Sequence, residues 1–467
     1  MSQTTVDQTL LEQLRERFVG PLIGPGDPEY DQARSVYNGS IDRRPALIAR
    51  PTGTADIVAA VEHARAAGLG VAARCGGHSV AGNGTCDGGL LLDLSLLKGV
   101  RVDTARRTAR AGGGVIWGEF DRETQHFGLV TPGGRVTTTG VAGFATGGGY
   151  AWISPKFGLT CDNILSADVV TADGRVVTTS EDENEDLLWG IRGGSSNFGI
   201  VTSFEFRLHP LGPMLYGGIV GYDLARAGEV LRSWRDFAEG SPEELATGAV
   251  LLGAPPEEFV PERLHHQTVL GIFALWADGV EEGERALRPF RGANPPDFDL
   301  MGPAPYTTLQ AMIDPFAPPG LQNYHRGLHL TGLPDEAIDA YVAHAPADMP
   351  PTTQSVIFRH GGAINRVDPA STAIGFRDSP YMFHPIACWP DPSEDERYMN
   401  WVFDVSDAMA PYATGVYLNF TPEEGQDRVR AGYEPETWAK LVALKDRYDP
   451  DNVFRFNQNI RPSALGG

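Results

Sequence analysis

Apolar residues alternate between two periods along the chain, and the switch between them marks out the elements. Ala46–Arg50 and Val71–Arg74 are short apolar runs, and between them Ile57, Val58, Val61 and Ala64 recur at helical spacing from Asp56 to Ala67, with Thr54 in the position of an N-cap. This predicts a strand–helix–strand unit. Leu90–Leu94, Val100–Val102 and Thr108–Ala111 follow as short β runs broken by glycine, which suggests a meander. Asp173-Gly174 between Asp168–Thr171 and Arg175–Thr178 is a hairpin signal, and Ile200–Phe206 reads as a further strand. Leu211-Gly212-Pro213 is the expected boundary of this first region.

Beyond it, helices at Leu224–Ala238 and Asp335–Ala343 are mixed with strands at Val250–Leu252, Val269–Phe273 and Ser355–Phe358, the pattern of an α+β unit built on an antiparallel sheet. A last helix is expected at Pro435–Tyr448. At the other end, Met1–Gly20 reads as an amphipathic helix with Leu10, Leu11, Leu14 and Phe18 on one face. That segment lacks a basic stretch followed by an apolar run, and no apolar stretch has spanning length, so a soluble, cytoplasmic protein without a membrane partner is expected.

A chain of 467 residues exceeds what one core usually supports, so two units are expected. The balance of 38 Lys+Arg against 60 Asp+Glu gives a net charge of -22, which repels phosphate backbones and argues against a nucleic-acid partner. Cys75, Cys86, Cys161 and Cys388 form no Cys-x-x-Cys pair, so neither a disulfide framework nor a zinc site is expected. Cys86 and Cys388 read as small buried hydrophobes.

Chemistry concentrates in Arg74-Cys75-Gly76-Gly77-His78-Ser79-Val80-Ala81-Gly82-Asn83-Gly84. Four glycines just after a strand let the backbone approach a ligand closely and turn N–H groups toward phosphate oxygens. The spacing is not that of a Rossmann fingerprint. Further along come Gly140-x-x-Gly143-x-x-x-Gly147-Gly148-Gly149-Tyr150, Gly158–Asn163, Arg192-Gly193-Gly194-x-x-Asn197-Phe198-Gly199 and Phe454–Ile460.

In this order the motifs resemble the vanillyl-alcohol-oxidase (PCMH-type) FAD-binding superfamily, and within it the berberine-bridge-enzyme-like oxidases. The resemblance implies two α/β subdomains holding FAD, with an inserted α+β substrate unit: residues 1–211 and 413–467 for the flavin, 212–412 for the substrate. It implies FAD joined covalently through His78 by a single link, because the second, cysteinyl link of some relatives falls on Val136, and Arg135–Thr139 contains no thiol. Imidazole suits that chemistry as a neutral nucleophile near pH 7. The cofactor residues implied are Arg74, Cys75, Gly76, Gly77, His78, Ser79, Gly82, Gly140, Gly143, Gly147, Gly148, Tyr150, Asn163, Val201, Tyr417, Asn419, Asn457 and Asn459. The chain departs from the family pattern at Ala151, Pro155, Ser195 and Ser196.

Tyr417-Leu418-Asn419-Phe420 resembles the Tyr-x-Asn strand of relatives, with Tyr417 as the implied catalytic base and Tyr150 as a second candidate. A two-residue period puts Tyr417 and Asn419 on one strand face. The activity implied is oxidation of a CH–OH group of a sugar or secondary metabolite, with molecular oxygen reduced to hydrogen peroxide. A flavin monooxygenase rearranging a polyketide and a catalytically silent flavin carrier are the rival implications. His325 and His329, four apart, could line the cavity or hold a metal, and cavity lining or surface roles are favoured because no carboxylate nearby completes a metal motif. Arg359–Arg366 resembles a substrate-domain strand, and Tyr381, Phe383, Trp389 and Trp401 are candidates for an aromatic cavity or for the core. The oligomeric state is open.

Overall fold

The computed structural model describes residues 7–466. The N-terminal helix spans Gln8–Arg17, capped by the Asp7 carboxylate, and buries Leu11 and Leu14. The first six residues of the helix expected from Met1 lie outside the described residues.

Three principal sheets organise the α+β fold. In the first, the order is Leu22–Ile23, Leu47–Ala49, Leu90–Asp93, Val71–Arg74, and Leu90–Asp93 runs parallel to both of its neighbours. The expected strand–helix–strand unit is present, with a third strand inserted between its two arms. All residues of Leu47–Ala49 and Leu90–Asp93 are buried, which is why these strands read as unbroken apolar runs. The intervening helix, Thr54–Ala66, begins with Thr54 inside it and Gly53 at the cap position. Thr54 is therefore not the N-cap; Asp56, in the first turn, instead ties the helix to the preceding chain by accepting from the Thr52 and Val19 N–H groups.

The expected meander is divided between two sheets. Val100–Asp103 and Thr108–Gly112 pair with each other in a second, all-antiparallel sheet, next to Ile200–Arg207, Ile164–Val170 and Val176–Ser180, whereas Leu90–Asp93 remains in the first. The Asp173-Gly174 hairpin forms, with Gly174 at φ +82.

The third sheet has ten strands, from Met214–Asp223 to Ala413–Val416, every pair antiparallel. Helices Ala227–Glu239, Val280–Ala293 and Asp395–Met409 pack against it. Along the central strands most residues alternate between a cavity and the core. Val250, Leu252, Gly271, Phe273, Val356, Phe358, His384, Ile386 and Cys388 face a cavity, while Leu251, Leu270, Ile272, Ile357, Phe383 and Ala387 face the core. Tyr381, Phe383 and Trp389 have the core parity and are fully or nearly fully buried, and Trp401 donates to the His344 carbonyl from its helix, so none of the four lines the cavity. Arg359 ends its strand, and Ala363–Arg366 forms a helical turn in place of the strand expected there.

Helix Pro435–Tyr448 brings the chain back to the first region. The buried Lys445 ammonium pairs with Asp449 at 2.7 Å and donates to the carbonyls of Asn197 and Phe454. Phe454 and Val453 then enter the core beneath the first sheet. No helix among the described residues is long and apolar enough to cross a membrane.

Candidate active site

A cavity of about 1060 Å³ separates the two glycine motifs from the antiparallel sheet. On the glycine side, two backbones meet where no side chain fits. A Cβ on Gly76 would lie 2.4 Å from the Gly140 nitrogen, and one on Gly140 would lie 2.4 Å from the Gly76 nitrogen and 2.6 Å from Cys75 Sγ. Gly143 differs: a Cβ there would meet nothing within 4 Å, because it would project into the cavity. Arg74 anchors the first motif, its guanidinium held by Asp93 at 2.8 Å and by the carbonyl of Ser35 at 2.9 Å. Burial alone would raise the Asp93 carboxyl; the charge and hydrogen bonds of Arg74, with Arg50 and Ser95, hold it below the usual range.

His78 faces the cavity from this wall, stacked on Tyr37 with ring centroids 4.1 Å apart. Its Nε2 lies 2.8 Å from Thr138 Oγ1. Burial pushes its pKa down to about 4, so the ring is neutral at pH 7. Val136 lines the cavity nearby, and all four cysteines are free thiols. Cys75 donates to the Val115 carbonyl and fills space against Gly140, whereas Cys161 is buried.

Eleven of the residues expected at a cofactor line this cavity: Arg74, Cys75, Gly76, Gly77, His78, Ser79, Gly140, Gly143, Val201, Asn419 and Asn457. Seven do not. Gly82 turns at φ +71 while Arg43 donates to its carbonyl; Gly147 packs against Asn419 and Gly148 against Ile374; Asn459 lies off the wall. Asn163 is a buried brace whose amide donates to the carbonyls of Phe157 and Leu159. Ser195 adopts φ +59, a left-handed backbone that accounts for the glycine usual at its position, and Pro155 sits in the first turn of the short helix Ser154–Phe157, where its missing N–H costs nothing.

The two tyrosines also stand back from the cavity. Tyr150 donates its hydroxyl to the Arg359 carbonyl at 2.7 Å. The Tyr417 oxygen accepts from the Gly149 N–H at 3.0 Å and from the Asn419 amide at 3.2 Å, and burial pushes its pKa up to about 12. The strand ends at Val416 and Leu418–Phe420 is a 3-10 turn, so the two-residue period expected for Tyr417 and Asn419 fails. The turn sends Asn419 and Phe420 to the cavity and leaves Tyr417 behind it.

Facing the glycine wall is a histidine pair. His384 lies flat on Phe420, centroids 3.7 Å apart, with its Nε2 3.3 Å from His325 Nδ1; His325 Nε2 is 3.8 Å from Cys388 Sγ. Burial pushes His325 down to about 3 and His384 well below its ordinary value, and holds Cys388 as a thiol by pushing it up to about 12. His325 thus lines the cavity as expected, while His329, on the next strand, is buried against Tyr417 and Phe376 and has no surface role. Three lining residues carry no sign of it in the sequence motifs: His384, Cys388, and Arg135, whose guanidinium lies 3.7 Å over the Phe358 ring. Strand parity was the available signal for His384 and Cys388.

The wall suits a large planar group with a phosphate tail. It combines bare backbone, the open face of Gly143, a neutral histidine and, at Asn457, a buried Oδ1 without a partner.

Comparison with known proteins agrees with this reading. The FAD binding domain family model matches residues 45–180, and the berberine and berberine-like model matches residues 416–461. An FAD-linked oxidoreductase of Dictyostelium discoideum is 30% identical over 463 residues, covering 97% of each chain. (R)-6-hydroxynicotine oxidase of Paenarthrobacter nicotinovorans is 29% identical over 465 residues, covering 95% of this chain and 97% of that one. Among solved structures, BBE-like 1 of Physcomitrella patens superposes with a TM-score of 0.86 at 26% identity, covering 97% of this chain and 99% of its own.

Proposed function

The chain belongs to the berberine-bridge-enzyme-like FAD-linked oxidoreductases, and from that membership we propose that it is an oxidase acting on a CH–OH group of a small hydroxylated molecule. Two electrons and two protons leave the carbinol, which becomes a carbonyl, and dioxygen takes them up as hydrogen peroxide. The flavin, when bound, supplies the two-electron acceptor between them.

The observation that carries this reading is the two-walled cavity, with His78 on the glycine side and the imidazole pair opposite. His78 holds the cofactor by one covalent bond through Nδ1, since Nε2 is engaged by Thr138, and Val136 offers no second attachment. The glycine wall and Asn457 seat it, in a flavin part formed by residues 1–211 and 413–467. Residues 212–412 close the substrate side.

His384 takes the hydroxyl proton at the ring nitrogen not engaged by His325, and His325 stands 3.3 Å away to share it. Because both imidazoles are weak bases, the proton moves together with the hydride and not before it. Tyr417 has a supporting role: its oxygen fixes the Gly149 N–H and the Asn419 amide behind the cavity wall.

The test is anaerobic titration of the purified holoenzyme with a panel of alcohols, sugars and hydroxy acids, followed by air. Bleaching of the visible absorbance, its return in air and one peroxide per substrate support an oxidase. Labelled oxygen in the organic product would establish a monooxygenase instead, and no bleaching by any member would reduce the protein to a flavin carrier.

A further inference from the structure

Arg135 lies on the loop that leads into the second glycine motif, with 7% of its surface exposed, and it lines the cavity. Its guanidinium carbon sits 3.7 Å over the Phe358 ring and 5.2 Å from the rings of both Tyr150 and Trp152. Nη1 is buried without a hydrogen-bond partner. The groups that bear on its charge are the phenols of Tyr150 and Tyr417, not carboxylates. Among the described residues Glu257 is the one acidic side chain lining the cavity, and it is exposed to solvent.

A buried cation ordinarily has an anionic partner, because desolvation of the charge outweighs what aromatic faces return. Arg74, the other arginine of the lining, obeys that rule through Asp93. Arg135 does not, although burial lowers its pKa only to about 10, which leaves it charged at neutral pH. The imidazoles on which its charge acts, His360 and His384, are held neutral by burial and add no counter-charge.

Resting on the oxidase reading above, we propose that Arg135 anchors a carboxylate of the substrate, so that the molecule oxidised is a hydroxy acid with an apolar or aromatic body. Nε and Nη2, which are neither closed off like Nη1 nor hydrogen-bonded, are the parallel N–H donors of the planar guanidinium that match the two oxygens of a carboxylate. Around it, Phe358, Phe273, Val356, Leu252 and Ile219 supply an apolar wall for the rest of the molecule. Held at the carboxylate, the substrate presents a fixed face to the opposite wall, which makes Arg135 a specificity-determining residue.

The test is calorimetric titration of the holoenzyme with benzoate and with benzyl alcohol, in wild type, Arg135→Met and Arg135→Lys, with the flavin spectrum recorded for each. Wild type is expected to bind benzoate ten- to a hundred-fold tighter than benzyl alcohol, about the contribution of one charge-assisted pair. Arg135→Met is expected to abolish that preference and Arg135→Lys to retain part of it, with benzyl alcohol affinity changing less than about twofold. Equal binding of the two probes by wild type overturns the proposal, and that comparison stands even where Arg135→Met does not fold. A changed flavin spectrum in Arg135→Met with the benzoate preference intact also overturns it, by assigning the cation to the cofactor. A preparation without flavin would count against the oxidase reading, whereas these heats, taken without dioxygen and with the flavin already reduced by dithionite so that the alcohol is not oxidised, report binding alone.

Discussion

Replacing Tyr417 with phenylalanine separates the role seen in the structure from the one the motif implies. The substitution removes one oxygen and leaves the ring in place. That oxygen accepts the Gly149 N–H at 3.0 Å and the Asn419 amide at 3.2 Å, and its residue is not part of the cavity lining. Leaving the Gly149 N–H buried and unpaired costs about 1–3 kcal/mol of stability. The rate of flavin reduction by substrate, measured anaerobically by stopped flow, is expected to fall less than about tenfold, equivalent to under ~1.4 kcal/mol in the barrier. Loss of a general base would instead cost about 10²–10⁴. The pH profile gives a second reading. His325, lowered to about 3, and His384, also lowered by burial, are neutral throughout the window from about pH 6 to 9, so the rate is expected to be flat there. A tyrosine base with its pKa pushed up to about 12 must first ionise, and the rate would climb about tenfold per pH unit over the same window. A loss of a hundredfold or more in Tyr417→Phe, together with such a slope in wild type, would refute the assignment of the proton to the histidine pair.

Three further substitutions test the scaffold. Lys445→Met leaves the fully buried Asp449 without its cation and is expected to destabilise the protein by about 3–5 kcal/mol in guanidinium unfolding, whereas a change under about 1 kcal/mol would mean that the pair is hydrated. Asp121 is buried with no cation beside it among the described residues, and burial raises its pKa well above normal, with the Gln310 side chain offsetting only part of the rise. The folded state therefore binds a proton that the unfolded state releases above about pH 4, so this group's contribution to stability is lost as pH rises through its folded pKa. Asp121→Asn is accordingly expected to stabilise the protein at pH 7 and to have less effect at pH 4; a loss of stability at pH 7 would contradict this. Gly140→Ala places a methyl group 2.4 Å from the Gly76 nitrogen, a backbone contact that cannot rotate away, and is expected to yield protein with little flavin at unchanged helix content by circular dichroism.

The glycine wall was legible in the sequence because backbone that must approach another backbone excludes every other residue type, and that demand is local enough to leave a pattern. Gly76 and Gly140 both stood out, although their mutual contact is tertiary and left no sign in the spacing. The strands of the large sheet were legible as apolar runs, but their cavity face was not. Leu245–Gly253 is buried at every position, so alternation, the usual signal of facing, is absent, and residue type alone leaves Tyr381, Phe383 and Trp389 open between cavity and core, where parity places them in the core. Residue spacing does not show that Tyr417 stands behind the cavity wall, because a 3-10 turn replaces the strand one residue later. Arg135 was visible as a residue, but what distinguishes it is the lack of a partner, which is a property of its three-dimensional neighbours alone.

The covalent histidyl link is tested most directly by denaturing the purified protein in acid and measuring the mass of the chain and of its His78→Ala variant. The expected result is that wild type keeps its yellow colour and carries the mass of one FAD on the peptide containing His78, attached at Nδ1, while the variant releases all flavin. Free FAD from denatured wild type, or flavin retained by the variant on another residue, would contradict the account.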